Sequence, residues 1–153
     1  MAGTGRHAGR MARSLPASRP SALQTVARWL LGAAMLTAGT GHLTSQRQEF
    51  QAQVPTWLPL DKDFVVLASG VVELGFGAAL LALPRQRVTV GWLLAAFFVL
   101  IFPGNVSQYV SRQDAFGLNT DRARLIRLFF QPVLVAWALW STGAWSAWRA
   151  RRR

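Results

Sequence analysis

Residues 64–83 read FVVLASGVVELGFGAALLAL. Crossing a ~30 Å hydrocarbon layer takes roughly 20 helical residues at ~1.5 Å each. This stretch has that length and a single ionisable side chain, Glu73. Apolar residues do not alternate along it, so it does not read as a barrel strand. Lipid leaves no partner for an open backbone, so the segment must be helical.

Three more windows have the same character: residues 27–44, 88–110 and 124–145. The breaks between them are polar or proline-rich. Residues 45–63 carry Gln46, Arg47, Gln48 and Glu49, then Pro55, Pro59 and Asp61 to Asp63. Pro84-Arg85-Gln86-Arg87 makes a tight connection, and Arg112 to Asp121 makes the last. Asn119 or Thr120 is placed to cap the final helix. The expected fold is all-α, a four-helix transmembrane bundle over residues 22–146. A Gly/Ala/Ser/Arg-rich tail over residues 1–21 is expected to be disordered, and residues 147–153 to form a basic C-terminal tail.

A basic stretch followed by residues 29–36 and then Ala38-Gly39-Thr40-Gly41 also resembles a secretory signal. The apolar run continues through His42-Leu43, however, and three further spans follow. An uncleaved first helix is the expectation.

Composition agrees with a membrane protein. Of 153 residues, 52% are hydrophobic and 15% charged, where a soluble domain carries about 25% charged. Cys is absent, which excludes thiol–disulfide catalysis, iron–sulfur ligation and Cys-based zinc sites. With two His in the chain, no metal site is expected. The formal charge of +11 raises nucleic-acid binding. Its arginines flank apolar segments instead of alternating with aromatic readers on a folded surface, so no nucleic-acid partner is expected.

Topology explains those charges better. Arg6, Arg10, Arg13, Arg19, Arg85, Arg87, Arg149, Arg151, Arg152 and Arg153 share one side of a four-span bundle. The opposite side carries Arg47, Lys62, Arg112, Arg122 and Arg124, offset by Glu49, Asp61, Asp63, Asp114 and Asp121. The positive-inside rule then places a multi-pass protein in the plasma membrane with both termini cytoplasmic.

Under that topology the intramembrane polar residues all fall in the outer half. His42 ends the first span, Glu73 lies in the second, and Asn105 and Gln108 end the third. Arg124, Arg127 and Gln131 share one face of the fourth, at i, i+3 and i+7. Ionisable groups inside a membrane mark functional sites by default. Glu73, Arg127, Gln131, His42, Asn105 and Gln108 are therefore the candidate ligand-binding residues. Glu73 and Arg127 are the expected pair, serving either a ligand or helix register. Pro103 and Pro132 free helix carbonyls near the same layer. No nucleophile–base–orienter set is present to indicate catalysis.

The order of several motifs resembles the DoxX-like family of small membrane proteins. The motifs are Gly41-His42, Phe50, Val54-Pro55-x-Trp57-Leu58-Pro59, Ser69-Gly70-Val71-Val72-Glu73-Leu74-x-x-Gly77, Phe102-Pro103-Gly104-Asn105 and Arg127 to Gln131. They span about residues 26–142. The resemblance implies a four-helix membrane bundle. It also implies a non-catalytic subunit or accessory protein, or alternatively the membrane subunit of a quinone-linked oxidoreductase. Expected partners are the lipid bilayer and a soluble oxidoreductase or another membrane subunit. No cofactor is evident, and a quinone is the one compatible with the alternative. The family's motifs carry no assigned catalytic residue to this chain.

Overall fold

The computed structural model describes residues 19–153. The basic N-terminal tail lies outside the described residues up to position 18. Six helices follow one another: α1 (Ala22–Leu43), α2 (Arg47–Gln51), α3 (Lys62–Ala82), α4 (Arg87–Val110), α5 (Asp121–Ser141) and α6 (Ala144–Arg151). No strand occurs among the described residues. The fold is all-α.

The long helices begin where the sequence supplies caps. Ser21 and Gln24 form a reciprocal capping box at α1, with bonds of 3.0 and 3.1 Å. Asp61 accepts from the Phe64 amide at 2.9 Å to start α3, and Thr120 accepts from Ala123 at 3.2 Å to start α5. Each supplies an acceptor for an amide that has no intrahelical partner.

The α1 and α3 helices run antiparallel along a glycine seam. Gly32 faces Gly77, and Gly39 faces Gly70. A Cβ on Gly39 would stand 2.7 Å from the Gly70 carbonyl oxygen, and one on Gly77 would stand 2.9 Å from that of Gly32. Side chains larger than hydrogen would hold these backbones apart. The α5 helix closes against α1 through Trp137, which donates to the Ala27 carbonyl at 3.0 Å, and through Gln24, which donates to that of Trp140 at 2.9 Å. Leu31, Met35, Leu80, Leu94, Phe98 and Ala138 form the buried core between α1, α3, α4 and α5.

The outer surface is apolar. Leu30, Val71, Leu93, Leu100, Phe129 and Val133 are all exposed, Leu100 at 74%. Among the described residues three helices, α3, α4 and α5, are long and apolar enough to cross a membrane. The expectation was four. At 22 residues, α1 has the length, but Gln24, Arg28, three threonines and His42 dilute its apolar content. Thr37 and Thr40 turn their hydroxyls onto carbonyls of their own helix, at 3.0 and 2.8 Å.

The expected fourth span over residues 124–145 is corrected by the structure: α5 stops at Ser141. Gly143 has φ +73°, a left-handed conformation that glycine adopts without strain. Its amide bonds back to the Trp140 carbonyl at 3.1 Å. The chain then restarts as α6, so most of the expected C-terminal tail is helical.

Arg28 is buried, at 4% exposure, and its position follows from Pro84. The Leu80 carbonyl would accept the amide of residue 84, and proline has none. Arg28 Nη1 donates to that carbonyl instead, placing a cation at the negative end of α3. Its Nε is buried without a hydrogen-bond partner. Arg28→Met is expected to cost only about 1 kcal/mol, below the ~1.5–3 of a charged hydrogen bond, because it also relieves the stranded Nε. Unfolding in detergent measures this. A loss beyond about 3 kcal/mol would give Arg28 a larger role than capping.

Candidate functional site

The glycine seam sets the site. Gly70 is packed so closely on α1 that a Cβ there would stand 2.6 Å from His42 Cβ, which brings the histidine directly against α3. Its Nδ1 is 3.0 Å from the Val66 carbonyl. A carbonyl only accepts, so Nδ1 carries a hydrogen. Nε2 then faces Glu73 Oε2 at 3.4 Å. Both side chains are 8% exposed, and Oε2 makes no hydrogen bond among the described residues.

This geometry has a chemical consequence. With Nδ1 protonated, a neutral His42 would turn its Nε2 lone pair toward an ionised carboxylate, which repels it. The contact becomes attractive when one further proton sits on either group, as imidazolium–carboxylate or imidazole–carboxylic acid. The pair is thus built to hold a proton.

Aromatic rings and connectors cover it. Phe50 of α2 stacks on His42 with ring centroids 3.4 Å apart and planes 21° from parallel. Phe116, from the α4–α5 connector, meets Phe50 edge-on at 4.7 Å. The Phe116 amide donates to Glu49 of α2 at 2.5 Å, tying the two connectors together. Arg47 of α2 bonds Asp63 at the start of α3, and the Asp63 carboxylate holds the Arg47 guanidinium above its ordinary pKa.

The expected Glu73–Arg127 ion pair is not what forms. Arg127 on α5 is half-buried and acts on Glu73 through its charge, but no ion pair joins them within 4 Å among the described residues. The reason lies in the direction Glu73 faces. Gly70, Glu73 and Gly77 share one helical face, and the glycines of that face are pressed onto α1, so the carboxylate meets His42.

The remaining expected residues form two separate groups. Asn105 and Gln131 are both buried, and Asn105 Nδ2 donates to Gln131 Oε1 at 2.9 Å. Gln131 in turn donates to the Phe98 carbonyl in the turn before Pro103. This clasp joins α4 to α5 at the level of both prolines. Gln108 is 1% exposed and donates to the Gln113 carbonyl at 3.4 Å. Arg124, also buried, is held by Asp121 at 2.7 Å and by Asp114. These bonds fasten the α4–α5 connector over the bundle end. Among the described residues, no cluster of three or more His, Asp or Glu is arranged to hold a metal ion.

Sequence reasoning missed Phe50 as the cover of His42, though Phe50 stands among the motifs it quoted. A Gln53 amide buried without a partner was also missed. Its backbone carbonyl lies against Gly104, and nothing in the sequence marks that approach.

A family model described as a domain of unknown function, DUF8561, matches residues 31–142. That stretch begins at the core residue Leu31 and ends at the buried Thr142 beside Gly91, so it takes in α1 from its third turn through the end of α5. No curated protein and no solved structure matches the chain.

Proposed function

The chain belongs to the DUF8561 family, and we propose, from its sequence motifs and apolar helices, that it is a multi-pass plasma-membrane protein of the DoxX-like type. In this reading α1, α3, α4 and α5 all cross the bilayer as a four-helix bundle, with both termini cytoplasmic. It works as a non-catalytic subunit or accessory protein, with its polar pocket in the outer half. The observation that carries the reading is charge segregation about an apolar belt. Glu49, Asp61, Asp63, Asp114 and Asp121 stand at one end of the helices, and Arg85, Arg87, Arg149 and Arg151 at the other. The accessory role is supported by the way the buried polar groups are used. Asn105, Gln131, Gln108 and Arg124 bind one helix or connector to the next.

Reporter fusions after Arg87 and Arg153 are expected to read cytoplasmic, and one at Asp114 external. The intact mass is expected to include Trp29 to Leu43. A cytoplasmic signal at Asp114, or an N-terminus near His42, would overturn the four-span topology.

One observation favours a second reading, the membrane subunit of a quinone-linked oxidoreductase. His42 and Glu73 lie 3.4 Å apart beneath Phe50 and hold a place for one proton, with the Arg127 charge nearby. Quinone reduction consumes protons as well as electrons, and a soluble oxidoreductase partner would supply the electrons. Mass spectrometry of what co-purifies in mild detergent separates the readings. A retained quinone supports the second; protein or lipid without quinone supports the first.

A further inference from the structure

The α4, α5 and α6 helices leave a groove of about 650 Å³ between them, within the size range of small-molecule sites. Its walls include Val99, Phe102, Pro132, Ala136, Trp140 and Trp145. The two tryptophans are 45% and 47% exposed, so about half of each ring surface is left for something else to cover. The groove runs along two helices of membrane length toward the end of the bundle where α6 begins.

What waits at that end is cationic. Arg149 follows Trp145 by four residues and so shares its helical face. Trp148 packs against Trp145 with ring centroids 5.0 Å apart, and Arg152 lies 4.1 Å above the Trp148 ring. Arg149 and Arg151 are exposed. The chain has six acidic residues. Glu49 is on α2, Asp61 caps α3, Asp63 and Glu73 are on α3, Asp114 is in the α4–α5 connector, and Asp121 is the first residue of α5, at the end of that helix far from α6. None is available to neutralise this end.

We propose that the groove is the seat of an anionic phospholipid. One acyl chain lies between Val99 and Ala136, and the tryptophans flank the glycerol region. The phosphate meets Arg149 on the Trp145 face, and Arg151 adds its charge from across the same helix. An apolar channel ending in an aromatic belt and unneutralised arginines matches the three zones of such a lipid. Gly143 makes the arrangement possible: its left-handed turn lets α6 leave the α5 axis and present Trp145 to the groove.

The proposal rests on the membrane reading. Alkaline carbonate extraction tests that reading separately, since release into the soluble fraction sinks both and retention leaves the lipid question open to its own experiment. For that experiment the full chain is purified in mild detergent and exposed to phosphatidylglycerol or phosphatidylcholine, and bound lipid is counted by native mass spectrometry. Each arginine near the surface strengthens attachment of an anionic lipid roughly fivefold. With Arg149 in contact and Arg151 farther from the phosphate, phosphatidylglycerol is expected to be retained over phosphatidylcholine by on the order of tenfold. The double variant Arg149→Gln/Arg151→Gln is expected to abolish that preference while leaving residual binding of both lipids. Ala136→Trp fills the groove from an exposed position and is expected to abolish retention of either. Val99→Trp makes the same test from α4 should Ala136→Trp fail to fold. Equal retention of the two lipids, unchanged retention in a folded groove variant, or a quinone in the groove in place of phospholipid would each overturn the proposal.

Discussion

Gly39→Leu is expected to separate α1 from α3, at or beyond the upper end of the ~1–3 kcal/mol typical of overpacked sites. The side chain would grow from a Cβ 2.7 Å from the Gly70 carbonyl oxygen and 3.0 Å from the Leu74 amide nitrogen. Both obstacles are backbone, so no rotamer change relieves them. The helices must part, and the core contacts of Leu31 and Met35 on α1 with Leu80 on α3 part with them. Gly75 supplies the control, because a Cβ there meets nothing within 4 Å. Gly75→Ala is expected to leave stability unchanged or raise it by up to about 1 kcal/mol through helix propensity. Thermal unfolding in detergent compares the two. Equal behaviour of Gly39→Leu and Gly75→Ala would mean that the glycine seam does not hold the bundle.

That seam also marks where the sequence was legible and where it was not. The long helices could be read directly, because lipid demands about 20 apolar residues and a closed backbone. Their caps at Asp61 and Thr120 follow the same local rules. Glu73 could be recognised as buried and turned inward, since Gly70 and Gly77 share its face. Its partner was harder to find. Arg127 has the right charge and depth, but depth along a helix does not say which neighbour a face meets. The missing signal was present in the spacing: Gly32 and Gly39 are seven residues apart, and so are Gly70 and Gly77. Seven residues make two helical turns, so each pair forms a stripe, and matching stripes align α1 against α3. His42, one turn beyond Gly39, then falls level with Val66, whose carbonyl its Nδ1 meets. Because side chains lean toward the N-terminus of their own helix, the ring and the Glu73 carboxylate lean toward each other across the Gly39–Gly70 contact. The α5–α6 break was less visible still. Trp140 to Trp148 keeps enough apolar side chains to pass as one helix, and Gly143 alone signals the turn.

Removing either member of the His42–Glu73 pair is expected to cost on the order of 3–5 kcal/mol, as when one partner of a buried charge pair is lost. In Glu73→Leu the imidazole keeps the Val66 carbonyl, but its Nε2 is left buried against an apolar side chain. In His42→Leu the carboxylate loses the only group within ion-pair distance among the described residues, and Arg127 remains to act on it from farther away. The double variant His42→Leu/Glu73→Leu is expected to recover much of the loss, because two apolar side chains of similar volume can pack in place of a buried pair. A second cycle with Arg127→Leu in place of His42→Leu is expected to give a smaller coupling, since distance and the half-buried position of Arg127 weaken that interaction. Unfolding in detergent measures both cycles. A Glu73–Arg127 coupling equal to or larger than that of Glu73 with His42 would return the partnership to Arg127. The same variants also bear on function. If the stable double variant no longer retains a quinone that the parent retains, the proton held between Nε2 and Oε2 belongs to a redox site. If the co-purifying ligands do not change, the pair serves the α1–α3 joint, and the accessory reading stands on the bundle alone.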